Sequence, residues 1–343
     1  MKKWLPPPDQ ATLAKLVFVH GYDDHCDRYY ELFPRLAHRG IAVTSWDQRG
    51  WGRSAKTTKD WGITGPTEVV ISDLVEVVKS AADEEPREAK LFLMGHSMGG
   101  AEVLTFASST QPAHTELLRT TVHGILLDSP HIALSPEQEN PKIKIILGRL
   151  AARLLPNFQL RHKMPASTIT RDPAVQKSMD SDPLLRATGT LQGMSGLLDR
   201  ALFLHEGKVH LSPEVKSLWL AHGSGDKSTD YNASKAWFER ECGQRAKNGE
   251  DLAMKTYEGW SHTLHCDLPD NRHIFANDSA DWILARVGQA GEAHVGVVPA
   301  AAGMPAAAVE IGGESAVNAV AKEIAAEEGQ KVERVESKGE SKL

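Results

Sequence analysis

The sequence predicts an α/β fold: a mostly parallel central sheet flanked by helices and interrupted once by a helical insertion. Three observations carry this reading. Short apolar runs alternate with helix-length amphipathic segments, and most runs are continuously apolar, as expected of strands covered on both faces. The rhythm stops after Pro130 and resumes after Pro213. Ahead of the break, LFLMGHSMGGAEV (91–103) drives an apolar run through a glycine-flanked serine into an apolar helix.

In chain order, AKLVFVH (14–20) reads as the first strand. IAVTSW (41–46), KLFLMG (90–95), GILLD (124–128), SLWLAH (217–222) and AMKTYE (253–258) follow. A helix is predicted over 29–38, closed by Gly40, and another over 66–82, opened by a proline, with Val69, Val70, Leu74, Val77 and Val78 on one side. Strand–helix alternation implies right-handed crossovers. The segment 130–213 holds no good strand. It has an amphipathic stretch, KIKIILGRLAARLLP, with Ile143, Ile146, Leu147, Leu150 and Leu154 at helical spacing, and a second around 184–204. The predicted organisation is a core of 1–129 and 214–288, a helical cap over 130–213, and a disordered, low-complexity tail over 289–343, in which 316–328 has the pattern of a lone helix. Little chain precedes the first strand, so no room is expected for a full outer hairpin.

Composition excludes several classes. The net charge of −6 is spread along the chain and leaves no footprint for nucleic acid. Three separated cysteines, Cys26, Cys242 and Cys266, do not make a disulfide framework and fit a reducing compartment. No apolar run approaches the roughly 20 residues a membrane span needs. MKKWLPPPDQ has no apolar stretch behind its lysines and does not read as a secretory signal. The expectation is a cytoplasmic protein, with peripheral membrane or lipid-droplet contact left open.

The chemistry starts at Gly95-His96-Ser97-Met98-Gly99, a G-x-S-x-G sequence between a strand and a helix. Such a turn holds its serine in a strained conformation, and glycines two positions either side remove side chains that would collide with neighbouring backbone. A serine hydroxyl needs a base, and the base an orienting acid. In this arrangement they follow in the order serine, acid, histidine. Asp226, after the strand 217–222, is the candidate acid, and His262, in the loop after 253–258, the candidate base. Asp128 is a rival acid and His265 a rival base. His262, His265 and Cys266 together invite a zinc reading, disfavoured by the lack of a second ligand cluster and of H-E-x-x-H. The oxyanion donors would be the backbone N–H of Met98 and, from the loop opened by His20-Gly21, that of Tyr22. No metal or organic cofactor is required.

HGYDDH (20–25) with Arg28-Tyr29, WDQRGWGRS (46–54), the elbow, HGSGDKST around Asp226 and GWSHTLH around His262 resemble the monoacylglycerol lipase branch of the α/β-hydrolases, also labelled serine aminopeptidase S33 or lysophospholipase-like. Asp182-Pro183-Leu184 is similar to the family as well, and the resemblance spans roughly residues 14 to 288. It implies hydrolysis of the ester of a single-acyl-chain lipid under a mobile cap. Ser97 would be nucleophile, Asp226 acid, His262 base, and Tyr22 and Met98 oxyanion donors, with the loop 47–54 as support. Family members carry an N-terminal antiparallel hairpin, of which KKWLPPP would be the tail of the second strand. Peptides, other esters and lysophospholipids remain alternative substrates. Dehalogenase and epoxide hydrolase chemistry is disfavoured, because it needs an aspartate where this chain has Ser97. A hydrolase-fold binding protein with a vestigial site is the alternative outside enzymes. The chain gives no reading of oligomeric state.

Overall fold

The structure is a computed structural model that describes residues 1–138 and 142–288, with the side chains of 142–146 left out. The expected tail, 289–343, and its candidate helix lie outside the described residues. In chain order the elements are β1 (Lys2–Trp4), β2 (Ala14–Val19), α1 (Leu32–His38), β3 (Ile41–Ser45), α2 (Thr67–Asp83), β4 (Lys90–His96), α3 (Met98–Ala107), α4 (Pro112–Thr120) and β5 (Val122–Asp128). Then come α5 (Lys142–Leu154), β6 (Gln159–Arg161), α6 (Ala166–Ile169), α7 (Pro173–Ser181), β7 (Thr188–Thr190) and α8 (Leu191–His205). The chain returns to the sheet with β8 (Ser217–Gly223), α9 (Tyr231–Glu241), α10 (Gly243–Lys247), β9 (Asp251–Tyr257) and α11 (Pro269–Leu284).

Seven strands form the central sheet in the order β1-β3-β2-β4-β5-β8-β9. Only β1 runs antiparallel, pairing Lys2 with Ser45 and Trp4 with Val43. Three residues of the N-terminal stretch therefore suffice for an outer strand. The continuous apolar runs have a simple cause: alternate residues of one strand feed opposite cores. Val17, Val19, Leu91 and Leu93 pack with Leu74 and Val78 of α2, Val103 and Leu104 of α3 and Trp237 of α9. Leu16, Phe18, Phe92 and Met94 pack on the other face with Phe33 and Leu36 of α1 and Phe275 and Ile283 of α11.

The segment between β5 and β8 departs from expectation in two respects. β6 and β7 form a two-stranded antiparallel ladder, Gln159 opposite Thr190 and Arg161 opposite Thr188. Strands of three residues are too short to show a period, so sequence pattern misses them. The stretch 184–204 is also helical only from Leu191, which follows the Thr190 side-chain cap on the Gly193 N–H.

Candidate active site

Ser97 leaves the end of β4 and caps α3 with φ +53° and ψ −117°. Its flanking glycines are required by contact. A Cβ on Gly95 would stand 2.4 Å from the Gly99 carbonyl oxygen, and one on Gly99 would stand 2.2 Å from that of Val19. The Ser97 N–H donates to the Asp128 carbonyl at 3.0 Å, and its carbonyl accepts from the His131 N–H at 2.9 Å. The loop after β2 presses against the elbow: a Cβ on Gly21 would lie 3.4 Å from Ser97 Cβ. Tyr22 and Met98 consequently flank Ser97, and all three line one cavity. Met98 opens α3, so its N–H also lies at the positive end of a helix dipole.

The Tyr22 loop is braced from two sides. The Gln48 N–H donates to His20 Nε2 and the Gln48 amide to the His20 carbonyl, both at 2.8 Å. Asp47 accepts the N–H groups of Cys26 (2.9 Å) and Arg53 (2.7 Å). Burial pushes the Asp47 carboxyl up, but these bonds outweigh it and hold the group at about 2. The loop 47–54 thus takes the supporting position expected of it. From the other side Asp182 meets His25 at 2.8 Å, and Asp23 accepts the N–H groups of Arg186 (2.9 Å) and Ala187 (2.8 Å).

Asp226 follows β8 in a tight turn, with its side chain wholly buried. Its Oδ1 accepts the N–H groups of Ser228 (2.7 Å) and Thr229 (2.9 Å). Its Oδ2 accepts from His262 Nδ1 (2.7 Å), Thr229 Oγ1 (2.8 Å) and His222 Nε2 (3.0 Å). Burial raises this carboxyl, yet the charge and hydrogen bonds of His262 and His222 hold it well below the usual carboxylate range. His262 is buried in the loop after β9, and with Ser97 it lines a second cavity. The three groups therefore come together at the carboxyl ends of β4, β8 and β9, where open α/β sheets present ligand sites.

The rivals find other partners. Asp128 ends β5, wholly buried, and accepts from His265 Nδ1 at 3.0 Å, with His96 Nδ1 3.1 Å away. Burial raises the Asp128 carboxyl, and the two imidazoles pull it far below its ordinary value. His262 and His265 thus face different carboxylates. His96, Asp128 and His265 bring three ligand atoms within 4.8 Å of one another, one short of a closed tetrahedral zinc set, and two of the three residues are bonded to each other.

Two cavities meet at Ser97. The first, about 280 Å³, has a largely apolar wall of Leu191, Met194, Leu197 and Leu198 from α8, with Leu134 and Leu160. His131 also faces it; burial, then the His262 charge, lowers its pKa to about 4, so the ring stays neutral there. The second, about 200 Å³, is more polar than the first, its wall about half polar and bordered by Asp23, Arg161, Lys163 and Arg186 as well as His262. Among the described side chains, α8 supplies most of the apolar wall and α5 adds Gly148 and Arg149, while Leu147, Leu150 and Leu154 face outward. Sequence reasoning missed His222, Thr229 and His131. HGSGDKST contained a signal for the first two, since a strand-end histidine and a threonine bracket the acid within a single turn.

A family model described as serine aminopeptidase, S33, matches residues 10–269. The chain belongs to that family. This S33-family chain is 31% identical over 284 residues to a candidate monoglyceride lipase of Schizosaccharomyces pombe, covering 82% of this chain and 70% of that one. It is 29% identical over 290 residues to the monoglyceride lipase of Rattus norvegicus, covering 84% and 87%. A soluble variant of monoglyceride lipase from Saccharomyces cerevisiae, crystallised with a substrate analog, superposes with a TM-score of 0.72 at 21% identity, over 83% of this chain and 90% of that one. The S33 chain therefore has the α/β-hydrolase fold.

Proposed function

We propose that the chain is a serine hydrolase that cleaves the carboxylic ester of single-acyl-chain lipids, monoacylglycerol first, through an acyl-enzyme on Ser97. The observation that carries this reading is the position of Ser97 between an apolar cavity and a more polar one, with the His262–Asp226 pair on the more polar side. The names of the S33 relatives support the same substrate.

The acyl chain enters the apolar cavity, placing the ester carbonyl at Ser97. His262 takes the hydroxyl proton as Ser97 Oγ attacks, and the N–H groups of Tyr22 and Met98 stabilise the oxyanion. Asp226 keeps the proton of His262 on Nδ1, so Nε2 is the working nitrogen. The ester C–O bond breaks as His262 protonates the leaving alcohol. That alcohol departs through the polar cavity, the one His262 borders. Water, deprotonated by the same ring, frees the fatty acid and returns the proton to Ser97.

The elements between β5 and β8 act as the cap. No helix among the described residues is long and apolar enough to cross a membrane. Leu147, Leu150 and Leu154 recur at helical spacing along the exposed side of α5, with Leu155 and Phe158 exposed beyond it. This is the surface expected to rest on a lipid interface. Lysophospholipid hydrolysis is the second reading, favoured by Arg161 and Arg186 at the polar cavity.

Ser97→Ala tests the proposal. It is expected to abolish turnover on a monoacylglycerol and lysophospholipid panel, hydrolysis of p-nitrophenyl esters and labelling by a fluorophosphonate. Labelling that survives in the variant would place the nucleophile elsewhere.

A further inference from the structure

We propose that His222 is a positioning residue for the acid of this site: its Nε2–H donates to the same Asp226 oxygen that orients His262. The geometry is direct. His222 lies in β8, wholly buried, with Nε2 3.0 Å from Asp226 Oδ2. That oxygen also receives His262 Nδ1 at 2.7 Å and Thr229 Oγ1 at 2.8 Å. The tautomer follows from what surrounds the ring. His222 Nδ1 is buried with no hydrogen-bond partner. A proton there would be a buried, unpaired donor, whereas a proton on Nε2 is bonded to a carboxylate. The neutral Nε2–H form is the one that leaves no donor stranded.

The role follows from where the acid sits. Asp226 belongs to a turn, and turns move more readily than strands. His222 is fixed in the sheet, its neighbour Ala221 paired with Asp128 and itself with Thr256. A bond across four residues ties the carboxylate to the strand end and fixes its rotation, so that Oδ2 is aimed at His262. The second donor also shares the Asp226 charge and so moderates the field at His262. The other ionisable groups around this cluster are Tyr231 of α9, edge-on to the His222 ring at 5.8 Å, His131 after β5, Asp128, and His96, whose ring lies 4.8 Å from that of His262; Lys227 and Asp230 share the Asp226 turn.

The inference rests on the ester-hydrolase reading, and its test separates the two. In His222→Leu the donor is gone. The expected result is a loss of about 10- to 100-fold in kcat, the worth of a hydrogen bond to a charged group, with KM close to wild type. The acid limb of the kcat/KM profile should move to higher pH, because Asp226 would hold the proton on His262 more firmly. In His222→Gln an amide N–H replaces the imidazole donor, and most of the rate and the original pH profile should return. A leucine variant with wild-type kcat, or a glutamine variant as slow as the leucine one, overturns the proposal. Should the leucine variant not fold, the wild-type chain still decides. Nitrogen-15 NMR of the histidine rings, with His222 assigned through the glutamine variant, is expected to show protonated Nε2 and bare Nδ1, and a proton on Nδ1 overturns the proposal. A wild-type chain that hydrolyses no ester sinks the hydrolase reading, whereas the tautomer is read on resting protein and speaks to His222 alone.

Discussion

At Ser97 the backbone holds φ +53° and ψ −117°, a conformation that costs a non-glycine residue about 1–3 kcal/mol. The strain persists because its neighbours over-determine it, through the Ser97 N–H on Asp128, the His131 and Ala101 N–H groups on the Ser97 carbonyl, and the lack of space for a side chain at Gly95 or Gly99. Asp128 therefore supports the elbow through its backbone and His265 through its side chain, while Asp226 serves His262. This division predicts different losses. Asp226→Asn is expected to lower kcat by about 10⁴-fold, since it lets His262 adopt the wrong tautomer. Asp128→Asn should act mainly on stability, by about 1–3 kcal/mol for a weakened buried charge-assisted bond, with a much smaller loss of rate. Steady-state kinetics beside thermal melts would check this, and a larger rate loss from Asp128→Asn would exchange the two assignments.

Helix α3, which Ser97 caps, and helix α8, which walls the apolar cavity, are joined by a buried ion pair. Arg200 donates from Nη2 to Glu102 Oε1 at 3.2 Å and from Nη1 to Thr67 Oγ1 at 3.1 Å. Burial raises the Glu102 carboxyl, and Arg200 and the Gln48 amide only partly offset it, leaving the group at about 7. The unfolded chain loses this proton near 4.5. Stability from the protonated group is therefore full below 4.5, declines between 4.5 and 7, and is gone above 7. Glu102→Gln removes that dependence. Its melting temperature relative to wild type should rise from pH 5 to pH 8, whatever its absolute value, and a constant difference across that range would refute the assignment. The pair was invisible in GGAEV and LLDRAL, because nothing local marks two charges 98 residues apart as partners.

Across the whole molecule, the core holds the reacting groups at the carboxyl ends of its strands while the elements between β5 and β8 supply the cavity wall. Under the proposed function, the outward Leu147, Leu150 and Leu154 would make lipid contact a task of this segment, separate from the chemistry. Leu150→Glu with Leu154→Glu should lower turnover of monoacylglycerol held in vesicles by about 100-fold, the scale of two leucines withdrawn from an apolar phase. Hydrolysis of a short, water-soluble ester should change little. Equal loss on both substrates would show instead that α5 holds the cavity in shape.

The inner sheet was legible in the sequence because β2, β4, β5 and β8 are largely apolar runs feeding two cores, and the elbow because glycine is the only residue its crowding admits. Asp226 and His262 were legible as strand-end residues in the required order. Pattern could not show the β6–β7 ladder, too short for a period, nor which face of α5 meets solvent, since an apolar stripe at helical spacing is the same whether it packs inward or outward. Tertiary structure alone decided that Asp128 pairs with His265, that Glu102 meets Arg200, and that three donors converge on one oxygen of Asp226. Periodicity and turn chemistry act over a few residues and are written locally. The pairing of buried charges is set by which strand ends and helix faces the fold brings together.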